Sequence, residues 1–385
     1  MTQDLNTPCG IYLDNNATTR IAPEVLDVMA RHGATSFANP GSRHWAGRKA
    51  RQALDEARES LAAILGAHPD EVVFTSGGTE SNNMAVFGFA QGPPAIVAHT
   101  FAEHPSVAEP CHVLRDRGWR LHELAVDDDG LLRPDQYRAL PWSELRLVSV
   151  ILAHNETGVI QDVAPLAALC REQGVPFHTD AVQAVGKIPI NFHRLGASSM
   201  SLGAHKFHGP RGVGALLVGR DCRLSPTAWG GHQETGRRPG TEAVPLIMGM
   251  VRALELFDAE RDARRTRLAN LRDILQEGLL ESCAGAVVNG ARAHRLPNTL
   301  NIAFPGVDGE ALLVSLDLEG VACSLGSTCA SGAAEPAAAL VAMRLPAEIL
   351  KSSIRLSLAA DTTRAEIDSA LSLISRVVRR LRGQG

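Results

Sequence analysis

The stretch SLGAHKFHGPRGVG, residues 201–214, sets Lys206 between His205 and His208 in a run of glycines. The chain holds only four lysines, Lys49, Lys187, Lys206 and Lys351, and arginine carries nearly all its other positive charge. Arginine cannot replace an amine that must form a Schiff base, because its guanidinium stays protonated and is not nucleophilic. That is a chemical reason to keep a lysine here. An exposed lysine at a strand end is the plainer reading, and the flanking Gly203, His205, His208 and Gly209 weigh against it. Lys187, in VGKIPI, is the rival candidate and reads as a surface residue.

Two further stretches supply partners for such an amine. TSGGTESNN, residues 75–83, follows the apolar run EVVF. Gly77 and Gly78 allow close backbone approach, Thr79 offers a hydroxyl, and the N–H groups at the next helix start can hold an anion. The turn lacks the GK[ST] ending of a Walker loop, and it reads equally as an ordinary strand-to-helix connection. In HTDAVQAVGK, Asp180 ends an apolar run, where a carboxylate needs a cation or good hydrogen bonds. A protonated pyridine nitrogen would serve, as would a purely structural helix-capping role. Gln183 lies one helical turn on. A phosphate anchor, an acid for a ring nitrogen and a Schiff-base lysine are together what pyridoxal 5'-phosphate requires. His104, in FAEHPSV, could stack on the ring or be structural.

CSLGSTCASGAAEP, residues 323–336, is almost free of bulky side chains and reads as a mobile loop. Cys329 in it would be exposed and able to react, or an incidental surface thiol. Cys323, closing LEGVAC, reads as buried. Arg355, in SSIRLSL, is either salt-bridged within the fold or a fork for a carboxylate ligand. GGHQETGRRPGTE, residues 230–242, reads as a subunit-contact loop or a flexible surface turn.

Positioning these groups is work for a parallel sheet, whose strand carboxyl ends form the ligand crevice. Apolar runs at 71–76, 94–100, 146–154, 175–181 and 198–206 read as strands, and helical patterns at 53–65, 106–118 and 166–174 alternate with them. The alternation predicts βαβ crossovers and a mostly parallel sheet. Past residue 245 the pattern changes to a long helix over 244–282 with breaks. Strands near 296–305, 321–324 and 352–358 follow, then a last helix at 363–382. The expected division is a large cofactor-binding domain at 16–250 and a smaller α+β domain made of 1–15 plus 251–385. The 385 residues are 45% hydrophobic and 21% charged, with a net charge of −4. That balance argues against direct binding of nucleic acid. No apolar stretch is long enough to span a membrane and no secretory leader is evident. Seven scattered cysteines without CxxC pairs suit neither a disulfide framework nor a zinc site, and predict reduced thiols in a cytoplasm.

YLDNNATT (12–19), FTSGGTESNN (74–83), HNETG (154–158), HTDAVQAVGK (178–187), HKFHGPRGVG (205–214), GGHQETGRRPGTE (230–242), LPNTLNIAF (296–304) and GSTCASG (326–332) occur in order. Together they resemble the cysteine desulfurases of the nitrogen-fixation and iron–sulfur-cluster type, in the class V aminotransferase family. The resemblance implies the α/β fold of pyridoxal-phosphate aminotransferases (fold type I), usually as a homodimer. It implies Lys206 as the Schiff-base lysine, with Gly78, Thr79 and His205 on the phosphate and Asp180 and Gln183 on the ring. It places His104 stacked on the ring, Asn155 near the ring oxygen and the substrate, and Thr241 on the neighbouring subunit's cofactor. Arg355 would grip the carboxylate of L-cysteine. Cys329 would accept the sulfur as a persulfide, leaving alanine, and pass it to an acceptor or iron–sulfur scaffold protein. It could also be a ligand of a transient [2Fe-2S] cluster shared with such a scaffold. Relatives often carry serine or cysteine at Gly203 and glycine at Ala204, so one phosphate hydrogen bond here comes from backbone or is missing. A selenocysteine lyase or an aminotransferase on the same scaffold, sulfur supply for tRNA or DNA thiolation, and a catalytically silent docking scaffold are the alternatives.

Overall fold

The computed structural model describes residues 10–325 and 336–383. Its principal sheet runs, edge to edge, through Val72–Thr75, Gly214–Val218, Ser199–Gly203, Phe177–Asp180, Leu145–Ser149, Ile96–Thr100 and Arg120–Leu124. Only the pairings of Gly214–Val218 are antiparallel; the remaining neighbours run parallel. Most of these strands are buried along their whole length, which is why they read as continuous apolar or small-residue runs. Arg120–Leu124, at the edge, shows mixed exposure and carries no such run.

Helices fill the crossovers, and their ends are set by local chemistry. Trp45–Leu65 is capped by the His44 ring accepting from Gly47 N and stops at Gly66, which is left-handed at φ 62°. It extends eight residues further toward the N-terminus than the expected 53–65. Pro105–Asp116 begins with His104 as its cap and Pro105 at its first position.

Val244–Ser282 is one unbroken helix of 39 residues, where sequence suggested breaks. Its glycines are packing sites instead. A Cβ on Gly249 would stand 2.6 Å from Met29 Cγ, and one on Gly278 would stand 2.4 Å from Leu371 Cδ2. The helix joins two apolar cores. Met250, Leu254 and Phe257 belong to the core under the principal sheet. Leu268, Leu275 and Leu279 belong to a second core with Leu13, Leu300, Leu356 and Ile374. That second core is roofed by an antiparallel sheet in the order Ser353–Ser357, Thr299–Ala303, Val287–Val288, and by helices Gly309–Leu318 and Arg364–Leu381. Ile11–Tyr12 crosses over to pair with Val321–Ala322.

Candidate active site

A cleft of about 210 Å³ opens at the carboxyl ends of the parallel strands. Gly78, Thr79, His104, Asn155, Asp180, Gln183, His205 and Lys206 all line it, beside Ser106, Ile151 and Val182. At one end, strand Val72–Thr75 delivers the chain to Gly77, whose φ of 153° and ψ of −178° are open in practice only to glycine. No atom lies within 4 Å of where a Cβ on Gly77 would stand. Helix Gly78–Phe89 starts there, and its first-turn N–H groups have no partner inside the helix. That end is built for an anion. Glu80 is kept from repelling one, because its carboxylate accepts from Ser76 N and pairs with Arg238 at 2.9 Å. The neighbouring loop is fastened rather than loose: buried Glu234 accepts from Arg58 at 2.6 and 3.0 Å and from Phe74 N at 2.9 Å. Gly203 sits under the anion end, where a Cβ would stand 3.3 Å from Gly78 N. His205 is held by Thr18 Oγ1 at 3.2 Å. Burial, reinforced by Lys206, pushes its pKa down to about 4, so the ring is neutral.

The floor of the cleft is a closed hydrogen-bond chain. Asp180 Oδ1 accepts from Val182 N at 2.9 Å and Oδ2 from Asn82 Nδ2 at 2.7 Å. Asn82 also donates to Ser106 Oγ at 2.8 Å. Both its amide protons are then used, so Asn82 Oδ1 accepts from His178 Nε2 at 3.0 Å. His178 Nδ1 therefore accepts from Ser199 Oγ, 2.8 Å away. Burial holds His178 neutral, with its pKa down to about 4. His104 Nδ1 accepts from Ser106 N at 3.1 Å and faces Ser106 Oγ at 2.7 Å, which fixes the ring plane. Burial also lowers the His104 pKa. Asn82, Ser106, His178 and Ser199 received no role from sequence; polar residues on the buried side of a helix start and strand were the signal.

Lys206 Nζ donates to Asn16 O at 2.6 Å and Ala17 O at 2.9 Å. Burial, helped by Arg355, brings its pKa down to about 8 against the pull of Asp180, Asp14 and Glu156. Lys187 is not the surface residue that sequence suggested: it is 7% exposed. Its ammonium is enclosed by Asn16 Oδ1 at 2.8 Å and Gln183 Oε1. Burial lowers its pKa well below the ordinary lysine value. It does not line the cleft, which leaves Lys206 as the lysine in position for Schiff-base chemistry.

Arg355 stands behind Asn155, donating to its carbonyl at 3.3 Å. Its guanidinium bridges Glu156 Oε1 at 2.6 Å and Asp14 Oδ1 at 2.7 Å. Burial opposes the charge, but Glu156 and Asp14 outweigh it and raise the Arg355 pKa. Glu156 is shifted upward by burial. Of the two readings of Arg355 from sequence, the structure shows the salt-bridged one, with the guanidinium next to Asn155 of the cleft lining. Thr241 is exposed and does not line its own chain's cleft. Cys323 is half-buried rather than buried. Cys329 lies outside the described residues.

The residues fit pyridoxal phosphate on their own geometry. An open helix start suits the phosphate, Asp180 offers carboxylate lone pairs at the floor, the His104 plane is fixed, and Lys206 reaches the same cavity.

The family described as aminotransferase class-V matches residues 11–370. A cysteine desulfurase of Gluconacetobacter diazotrophicus is 44% identical over 377 residues, covering 97% of this chain and 94% of that one. The cysteine desulfurase IscS of Dictyoglomus turgidum is 41% identical over 375 residues, covering 97% and 95%. Among solved structures, a NifS-like protein superposes with a TM-score of 0.90 at 33% identity, over 97% of this chain and all of that one.

Proposed function

Because the chain belongs to the aminotransferase class-V family and is a pyridoxal-phosphate-dependent cysteine desulfurase, we propose the following roles for its own residues. Pyridoxal phosphate, when bound, supplies an electron-withdrawing ring that acidifies the Cα–H of an attached amino acid. Gly78, Thr79 and His205 bind the phosphate, with Gly203 giving room beneath it. Asp180 would hold the ring nitrogen's proton, Gln183 and Asn155 would hold the ring oxygen, and His104 would lie against the ring. Lys206 would hold the cofactor, and its Nζ would serve as the base for the Cα proton; a pKa of about 8 leaves a useful neutral fraction near pH 7. Arg355 orients the L-cysteine carboxylate, which would compete with Asp14 and Glu156 for the guanidinium. The Cys329 thiolate attacks the substrate sulfur. A sulfur–sulfur bond forms, the Cβ–S bond breaks with its electron pair staying on carbon, and protonation of that carbon gives alanine.

The observation that carries this reading is the meeting of Lys206, Asp180, His104 and the Gly78 helix start in one cleft. Incubation with L-cysteine, measuring alanine and sulfide for wild type, Lys206→Ala and Cys329→Ser, tests it. Both variants should lose alanine release. Undiminished alanine from Cys329→Ser would refute the persulfide step and favour an aminotransferase.

The sulfur is proposed to pass to an acceptor or scaffold protein for iron–sulfur or nitrogenase cluster assembly, with Cys329 as a ligand of a transient shared [2Fe-2S] cluster. A homodimer is proposed because Thr241 is absent from its own cleft and Trp229, beside that loop, is 86% exposed. The proposed division into 16–250 and 1–15 plus 251–385 draws support from the presence of two apolar cores, but Leu254, Phe257 and Leu296 belong to the larger core, which moves the boundary within the long helix to between Phe257 and Leu268. No helix among the described residues is long and apolar enough to cross a membrane. A cytoplasmic setting is supported by the five described cysteines, none of them paired with another.

A further inference from the structure

At the end of the sheet opposite the cleft, two distant segments bring two imidazoles and a carboxylate together. Helix Trp45–Leu65 ends at Gly66, and His68 then caps the short turn Pro69–Glu71, which leads into strand Val72–Thr75. His193 lies on the short helix Phe192–Leu195, and its backbone N–H bonds to Gly66 O at 3.3 Å. Glu71 is 3% exposed, while both histidines are exposed. Glu71 Oε2 accepts from His68 N and from His193 Nε2, each at 2.7 Å, and Oε1 accepts from Arg220 N at 3.3 Å. The carboxylate is thus oriented by backbone donors before any ligand arrives. The Arg220 side chain is turned away onto Asp70 at 2.7–2.9 Å, so its charge is already answered. The two rings lie 4.8 Å apart between centroids. One ligand atom from each of the three residues falls within 4.8 Å of the others.

We propose that His68, Glu71 and His193 form a divalent transition-metal site, for zinc or a similar borderline ion. Two neutral imidazoles and a carboxylate are a donor set that zinc takes at about 2.0–2.2 Å, with a fourth position left to water. His193 presents the Nε2 lone pair by moving its ring proton to Nδ1, and the ion takes the place of the present His193–Glu71 hydrogen bond. The donors to Glu71 remain as the supports that fix a ligating carboxylate. The ion ties together two segments 122 positions apart in the chain. It lies beside a second cleft, of about 530 Å³, lined in part by Glu71 and His193 and by none of the residues assigned to the reaction. It is a clamp on the fold, independent of the desulfurase assignment.

The test uses the full, cofactor-loaded enzyme, stripped with chelator and dialysed against Zn²⁺, then against Co²⁺. Wild type should bind one ion more than His68→Ala and one more than His193→Ala. Saturating Zn²⁺ should raise its unfolding midpoint by about 3 °C; neither variant should show that rise, and both should release alanine from L-cysteine at the wild-type rate. The histidine-dependent Co²⁺ spectrum should lack a thiolate charge-transfer band. Equal stoichiometry in all three proteins, binding that shows thiolate ligation without dependence on the histidines, or no binding by wild type would overturn the site.

Discussion

On the principal-sheet side of the cleft, polar groups close onto neutral partners: Ser199 to His178 to Asn82 to Asp180, with Ser106 holding His104. On the side of strand Ser353–Ser357, charge answers charge, with Arg355 between Asp14 and Glu156. The first side leaves Asp180 one arrangement, which suits a resident cofactor that must not drift. The second leaves Glu156 Oε2 and Arg355 Nε buried without partners. Such a site can exchange one carboxylate for another, which suits a substrate that comes and goes. The two buried lysines mark the same contrast. Lys206 has three carboxylates opposing its loss of charge and opens on the cleft, whereas only cations and burial act on Lys187, held by two side-chain amide oxygens.

The largest effect should separate those lysines. Lys206→Ala should cut alanine formation by about 10³-fold or more, through loss of a proton-transferring group. Lys187→Met should keep activity within about tenfold and instead lose about 1–3 kcal/mol of stability, because buried Gln183 Oε1 loses its donor and Asn16 Oδ1 keeps only Asn298 Nδ2. Assays beside urea unfolding check both, and equal loss of rate in the two would erase the distinction.

Asp180→Asn comes next. The neutral amide keeps the shape of the floor but not its charge, so kcat should fall about 10²–10³-fold with cofactor still retained. Arg355→Lys probes the exchanging side. One ammonium cannot bridge Asp14, Glu156 and a substrate together, so KM for L-cysteine should rise about 10–100-fold, or 1.5–3 kcal/mol, with kcat nearly held. A fall in kcat at constant KM would place Arg355 in the chemical step instead.

Acid should strain the neutral side first. His178 and His154 are buried with pKa values down to about 4, whereas unfolded they bind protons near 6.5. Between those values the unfolded chain carries more protons, so stability is full above about pH 6.5 and is lost on acidification toward pH 4. At pH 5 each should cost on the order of 2 kcal/mol. Urea midpoints at pH 7 and pH 5 check this, and a His178→Asn variant should show a shallower loss.

Much of this cleft is legible from residue types alone, because its chemistry restricts them. A Schiff base requires lysine, a ring nitrogen favours an acid, and a tight anion turn favours glycine. The elements carrying those residues are buried strands whose composition announces them. What sequence conceals is relational. Asn82 sits inside a motif already singled out, yet its bond to His178 spans 96 positions, and no local pattern encodes it. Lys187 looks like surface because it stands beside a proline-containing run, and its burial depends on Asn16, 171 positions away. Strand Arg120–Leu124 escapes notice since an edge strand needs no apolar run, and the continuity of Val244–Ser282 rests partly on distant neighbours such as Met29 and Leu371, against which Gly249 and Gly278 pack.

The smallest expected effect concerns Gly203, under the anion end of the rigid side. A Cβ there would stand 3.3 Å from Gly78 N, a contact tight enough that the backbone must give by a few tenths of an ångström. Gly203→Ala adds this crowding and nothing else, so it should speed cofactor loss during dialysis about two- to threefold, under 1 kcal/mol. Gly203→Ser adds the same crowding together with a hydroxyl beside the phosphate, whose hydrogen bond is worth about 1 kcal/mol. The serine variant should therefore hold the cofactor at least as well as wild type and clearly better than the alanine variant. If the two lose it equally fast, the hydroxyl finds no phosphate. The anion end would then lie elsewhere than at the Gly78 helix start, and the contrast between a fixed side and an exchanging side would lose its first member.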